Sequence, residues 1–151
     1  MDLASIRSEF TGIRVHLQWS LLSGCAVKTE IVTAREHLGR LWSPWYVSPF
    51  GKQTSFYTLW ARPISIPEVH DLLPHKRSVI ADLMQSIARS GSIEIDVPAY
   101  DIGKARRLVL DRNHTLSALH RSAVPFTVRL HVIEGPIDQA ILPDLRHWRR
   151  R

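Results

Sequence analysis

Apolar and polar positions alternate strictly over Ile13-Arg14-Val15-His16-Leu17-Gln18-Trp19, a period of two that predicts a strand with one buried face. Ser23-Gly24 then reads as a tight turn and residues 25–32 as a returning strand, so a hairpin is expected near the N-terminus. Thr33-Ala34-Arg35-Glu36 has the spacing of a capping box, in which the Thr hydroxyl and the Glu carboxylate satisfy free amides at a helix start. That helix is expected to run to about Trp42, because Pro44 cannot extend it. Residues 43–55 mix Ser, Pro and Gly with Trp45, Tyr46 and Phe50. They read as a loop of unusual apolar content, either packed into the core or forming the wall or lid of a pocket. Residues 56–61 read as a strand rich in aromatics.

The second half is patterned more clearly. Val79, Ile80, Leu83, Met84 and Ile87 fall at helical spacing, and Gly91 sits where a helix C-cap belongs. Residues 93–97 predict a short strand, and residues 107–110 another that ends at Asp111. A helix is expected to start near Asn113 or His114 and to turn Leu116 and Leu119 inward. Residues 127–132 alternate as a strand; Gly135-Pro136 breaks it and opens a short final helix that Pro143 ends or kinks. Strands interleaved with helices, beside an antiparallel hairpin, define an α+β (mixed α/β) chain. No linker divides it, so one domain is expected over residues 1–151. It comprises an N-terminal hairpin, helix and loop (1–55), a core (56–136), and a C-terminal helix with a basic tail (137–151).

Composition narrows the class. A chain of 151 residues, 44% hydrophobic and 23% charged, is ordinary for a globular protein, which excludes disordered and collagen-like classes. A domain of this size hides roughly 70% of its unfolded surface. No apolar run approaches the roughly 18 residues of a membrane span. Met1-Asp2-Leu3 has neither the basic start nor the apolar centre of a secretory signal, and the single Cys25 can form no internal disulfide. A cytoplasmic location is the expectation. The formal charge is +6, from 20 Lys and Arg against 14 Asp and Glu. Four of those arginines lie in the last six residues; without them 16 basic residues face 14 acidic ones, a balance of +2. The body is therefore close to neutral, and the basic tail reads either as a phosphate-contacting end or as a solvated terminus.

The most informative segment is Leu108-Val109-Leu110-Asp111-Arg112-Asn113-His114-Thr115. An apolar strand delivers Asp111 and His114 onto a turn where a helix starts, and free amides at a helix start favour anions. A carboxylate and an imidazole together there form an acid/base pair. The plainer account is that Asp111 or Asn113 caps the helix and His114 lies in its first turn. No His pair stands at i, i+4 spacing with a third ligand in view. Zinc would require the fold to gather His70 and His75 with Asp71 or Asp111, and no metal site is assigned.

With these residues in view, the stretch 57–136 resembles the ParB/sulfiredoxin-like proteins, and within them the free-serine-kinase branch. That branch has a Pro-His-Glu segment, a helix, a strand ending in Leu-Asp-Gly-His-His-Arg, and a helix. This chain has Leu73-Pro74-His75-Lys76, the helical pattern at 79–87, and Leu110-Asp111-Arg112-Asn113-His114-Thr115. The resemblance implies a mixed sheet flanked by helices, with ATP and magnesium as cofactors if kinase chemistry is retained. The motif glycine and arginine, which admit and grip phosphate, are replaced by Arg112 and Thr115. The kinase glutamate aligns with Lys76, and the cysteine of sulfiredoxin with Asn113. Asp111, His114 and His75 survive.

The leading expectation is therefore an enzyme of specialised metabolism acting on a small molecule by acid/base chemistry without a nucleotide: isomerisation, cyclisation, elimination or hydrolysis. His114 is cast as general acid/base and Asp111 as its orienting partner, with Lys76, Arg112, His75, Asn113 and Thr115 binding substrate. The alternatives are an ATP- and magnesium-dependent phosphotransferase acting on a small hydroxyl compound, and a non-catalytic module that binds a nucleotide, a metabolite or DNA. Nucleic acid is the less favoured partner, because no helix-turn-helix is apparent and the body is near neutral. No membrane partner is expected, and a homodimer through the apolar hairpin is the one self-association the sequence suggests.

Overall fold

The computed structural model describes residues 1–13 and 16–149. Along them run α1 (Leu3–Glu9), β1 (Ala26–Val32), α2 (Arg35–Leu38), β2 (Leu41–Val47), β3 (Gln53–Thr54) and β4 (Arg62–Ser65). Then come α3 (Glu68–Leu72), α4 (Arg77–Ser90), β5 (Ile93–Asp101), β6 (Arg107–Val109), α5 (Asn113–Arg121) and β7 (Phe126–Glu134). Short 3-10 turns cover Trp19–Leu22, Pro74–Lys76 and Pro143–His147. The fold is α+β. Seven strands make one mixed sheet in the order β1-β7-β5-β6-β2-β3, with β4 on the other side of β2. β5 and β7 are parallel, as are β2 and β6; the remaining pairs are antiparallel. Among the described residues no helix is long and apolar enough to cross a membrane.

Strand alternation builds two cores on this sheet. Val97 and Ala99 of β5 and Val128, Leu130 and Val132 of β7 meet Ile80 and Ile87 of α4 and Leu116 and Leu119 of α5. Tyr100 and Ile133, one step out of phase on the same strands, belong to the other cluster. There Ile6 and Phe10 from the N-terminal end meet Leu142, Leu145 and Trp148 from the C-terminal end. Both faces are thus covered, which explains why β5 and β7 end in nearly continuous apolar runs.

α4, its left-handed cap at Gly91 (φ 75°), β5, β6, α5 and β7 lie where the periodicity predicts. Several N-terminal expectations are corrected. The alternation at 13–19 forms no strand over the residues described there (Arg14 and Val15 lie outside them). Ile13 and Leu17 instead bury their side chains in the second core, and a 3-10 turn begins at Trp19. The hairpin is therefore absent: β1 pairs with β7, from Ala26 against Glu134 to Val32 against Val128. A distant apolar strand with a full register outcompetes a local partner that has a better use for its apolar side chains.

The expected helix to Trp42 shrinks to Arg35–Leu38, and Ala34 occupies its N-cap with no side-chain hydrogen bond, so no capping box forms. The segment beyond it is strand β2, not loop. Its aromatic and branched residues suit a strand held between β6 and β4. Pro44 is tolerated because the register with β4 shifts between Trp42 and Tyr46, where Ser43 Oγ donates to the Ile64 carbonyl at 2.8 Å and accepts from Trp45 N. The strand expected at 56–61 is a run of turns containing Trp60 at φ 65°, and the chain becomes extended only at Arg62. The final segment stays irregular after Gly135-Pro136, and Pro143 opens a 3-10 turn instead of ending a helix. Arg150 and Arg151 of the basic tail lie outside the described residues.

Candidate functional site

Leu108 and Val109 of β6 are fully buried, so the strand is anchored up to the point where it releases Leu110 and Asp111. Arg112 takes a left-handed conformation (φ 68°), which reverses the chain and lets α5 begin at Asn113. Asp111 Oδ1 accepts from Arg112 N at 2.7 Å and fixes this turn. The first hydrogen bond of the helix runs from Leu116 N to the Arg112 carbonyl. The amides of Asn113, His114 and Thr115 precede it and have no acceptor within the helix. Among the described residues no side chain caps this end.

A recess of about 340 Å3 opens here, lined by Asp111, Arg112, Asn113, His114 and Thr115 together with Gly12, Pro44 and Trp45. Gly12 packs against the Asp111 carboxylate, where a Cβ would fall 2.8 Å from both oxygens, so no larger residue fits without moving it. Asn113 is only 6% exposed, and its Oδ1 has no hydrogen-bond partner. A buried, unsatisfied acceptor on the wall of a recess is one that a ligand or a water can satisfy.

Behind His114 stands Lys76, at the end of the 3-10 turn Pro74–Lys76. Lys76 Nζ lies 3.3 Å from His114 Nε2 and 3.9 Å from the centroid of the Trp45 ring, and the Trp45 and His114 rings are 4.9 Å apart. An ammonium has only hydrogens to offer, so Nε2 is the acceptor and a neutral His114 carries its proton on Nδ1. Burial pulls the Lys76 pKa below its usual value. Burial first, then the charges of Lys76 and His75, pulls His114 below 6.5. Among the described residues no carboxylate bonds to either group, and the face of Trp45 is what stands against the charge.

The fold thus brings Asp111, Arg112, Asn113, His114 and Thr115 onto one recess, with Lys76 reaching it through His114 and Trp45. His75 is exposed and touches the site only through its charge. The partner of His114 is Lys76; Asp111 spends one oxygen on the Arg112 amide and makes no hydrogen bond to the imidazole. Arg112 is exposed, with its guanidinium 5.9 Å from the Phe10 ring. His70 Nδ1 lies 3.5 Å from Asp71, and among the described residues no three His, Cys, Asp or Glu side chains gather as a metal site. Gly12, Pro44, Trp45 and Leu110 are the lining residues that were not among the candidate site residues. The aromatic density of 43–55 was the signal for Trp45, and nothing marked Gly12.

Compared with protein-family models, with curated proteins and with solved structures, the chain matches none of them.

Proposed function

We propose that the recess at the end of β6 binds a small anionic metabolite and performs acid/base chemistry on it without a nucleotide. The observation that carries this reading is the Lys76–His114 pair, 3.3 Å apart, held against Trp45 beside a helix start with free amides. The amides of Asn113, His114 and Thr115, with Arg112 at the mouth, hold the anionic group. The Asp111 carboxylate accepts from a hydroxyl or amine of the same molecule, and Asn113 Oδ1 takes a second donor. His114 exchanges a proton at Nδ1 while Nε2 receives one from Lys76, so the pair works as a two-step relay. A lysine and a histidine whose pKa values are both lowered release protons more readily near neutral pH than free side chains do.

The resemblance of residues 57–136 to the ParB/sulfiredoxin-like proteins supports the location. The turn bearing His75 and Lys76 precedes helix α4, and strand β6 precedes helix α5, with β5 between α4 and β6. A phosphotransferase is the second reading, favoured by the same amides and by Arg112. The residues fit its chemistry poorly, because an ammonium stands where the family's glutamate would act as base. Two measurements decide. Titration with inorganic phosphate or acetate is expected to shift the NMR signals of amides 113–115, and silence at all three would overturn the anion site. Calorimetry with ATP and magnesium is expected to give no heat; saturable heat would favour the phosphotransferase.

A further inference from the structure

The two ends of the sheet are finished differently. At one end β3 is two residues long and β4 carries Pro63, a short and proline-bearing border that discourages another strand. At the other end β1 runs for seven residues in unbroken antiparallel register with β7, with no proline and no bulge. Among the described residues nothing pairs with its outer side, and no backbone hydrogen bond leaves residues 26–32 except through the ladder to β7. An antiparallel ladder turns the N–H and C=O groups of alternate residues to opposite sides, so about half of those of β1 point outward. The strand is also held from behind, since Thr29 Oγ1 lies 3.0 Å from His131 Nδ1. Its edge is therefore formed before any partner arrives, which spares the cost of ordering it. The side chains match an open edge. Ile31 is 59% exposed, and Lys28 is exposed with no ion-pair partner among the described residues. Glu30 is fixed by Arg107 Nη2 at 2.6 Å, and its carboxylate has room for a further donor.

We infer that the outer edge of β1 is an interface for a second copy of this chain, which adds its own β1 antiparallel across a two-fold axis at Thr29 and joins the two sheets into one. The occupant follows from symmetry and charge. In a two-fold antiparallel pair, each residue faces the one equally far beyond the axis, and the axis passes through a single residue. An axis through Lys28 or through Glu30 sets like charges against each other. An axis through Thr29, the middle of β1, uses all seven positions of the strand. It also places Lys28 of each copy opposite Glu30 of the other on one face of the sheet. On the opposite face it places Val27 against Ile31, which covers the exposed isoleucine. The register that makes the longest ladder is thus also the one that matches the side chains. β1 does not line the recess at the end of β6, so this interface stands independently of the proposed function.

Sedimentation equilibrium over a concentration series tests it. The unaltered chain is expected to approach twice the 17.3 kDa of one copy as concentration rises. Lys28→Glu turns both attractive pairs into repulsive ones, as does Glu30→Lys, and each is expected to weaken the dimer about tenfold or more. Mixed in equal amounts, the two variants are expected to pair with each other at close to the original affinity, because every carboxylate then faces an ammonium. Replacing Lys28 breaks no bond within the chain, so Lys28→Glu spares the fold; Glu30→Lys loses the Arg107 contact, and its fold is checked by circular dichroism. Hydrogen exchange on the unaltered chain reads the edge with no substitution at all. Alternate amides within 26–32 are expected to gain protection as concentration rises, while those bonded to β7 are protected throughout. A single-copy mass at every concentration overturns the dimer and leaves the edge to a strand of some other protein. A dimer that Lys28→Glu does not weaken, or that leaves the exchange of the β1 amides unchanged, forms elsewhere on the molecule and overturns the inference as well.

Discussion

His114 and His131 lie on consecutive elements, α5 and β7, and the molecule treats them in opposite ways. His131 is 5% exposed and both of its ring nitrogens are used: Nε2 faces Asp96 Oδ1 at 2.7 Å and Nδ1 faces Thr29 Oγ1 at 3.0 Å. Asp96 is clamped again by Arg129, through Nε at 2.8 Å and Nη2 at 3.1 Å. These residues are cross-strand neighbours, Thr29 opposite His131 and Asp96 opposite Arg129, so the network ties β1, β7 and β5 in one register. Among the described residues His114 has one hydrogen-bond partner, and that partner is a cation. His131 does not line the recess, whereas His114 does. A compensated, fully bonded histidine holds a sheet together; an uncompensated one beside a recess keeps a proton available.

The two histidines should therefore fail differently when removed. His114→Ala is expected to lower turnover of the anionic substrate by about 10^2-fold or more, the usual scale for a lost acid/base group, while stability changes by under about 1 kcal/mol. His131→Ala is expected to cost about 2–4 kcal/mol, because it opens a cavity in the sheet and takes from Thr29 and Asp96 the ring nitrogens that they face, leaving Asp96 to Arg129 alone. Urea midpoints of the two variants, read beside a turnover assay, check both. Equal stability losses would erase the contrast.

The same contrast bears on what the sequence disclosed. α4 and α5 were legible because their evidence is local: apolar residues at helical spacing, and Gly91 where a left-handed cap is needed. The turn at 111–115 was legible for the same reason, and so were most of the recess residues. β2 was not, because Pro44 argues against a strand unless the register shift opposite β4 is known. The alternation at 13–19 misled because period two states only which side chains seek burial, and a loop laid over the second core buries Ile13 and Leu17 equally well. Nor could spacing reveal Trp45 beside Lys76, or Thr29 beside His131, which are 31 and 102 positions apart in the chain. Such pairs exist only once the sheet order exists.

Acid sharpens the His131 side of the comparison. Hydrogen bonds from Arg129 lead the causes that bring the Asp96 carboxyl down from its usual 3.8 to about 2, with His131 adding to them against burial. A carboxyl lowered on folding contributes stability in full above its unfolded pKa of 3.8, and loses it as pH falls toward about 2. Asp96→Asn is thus expected to be the less stable protein at pH 7, and the gap to the unaltered chain should narrow as pH drops through that window. Denaturation midpoints measured across it test this; a gap of constant size would mean that the network does not depend on the charge of Asp96.

The smallest effect is the most specific to His114. Its pKa lies below 6.5 because of burial, then Lys76, then His75. A histidine lowered on folding costs the fold stability as pH falls through 6.5 toward the lower value, and costs nothing above it. Lys76→Met removes a charge and leaves the burial, so the His114 pKa is expected to rise toward 6.5 without reaching it. His75→Ala should raise it less, since His75 is exposed and acts only through its charge. The imidazole C–H signals of His114, followed by NMR through the titration in both variants, give the two shifts directly. A larger rise in His75→Ala than in Lys76→Met would mean that the 3.3 Å contact is not what sets the protonation of His114, and the relay assigned to that pair would lose its basis.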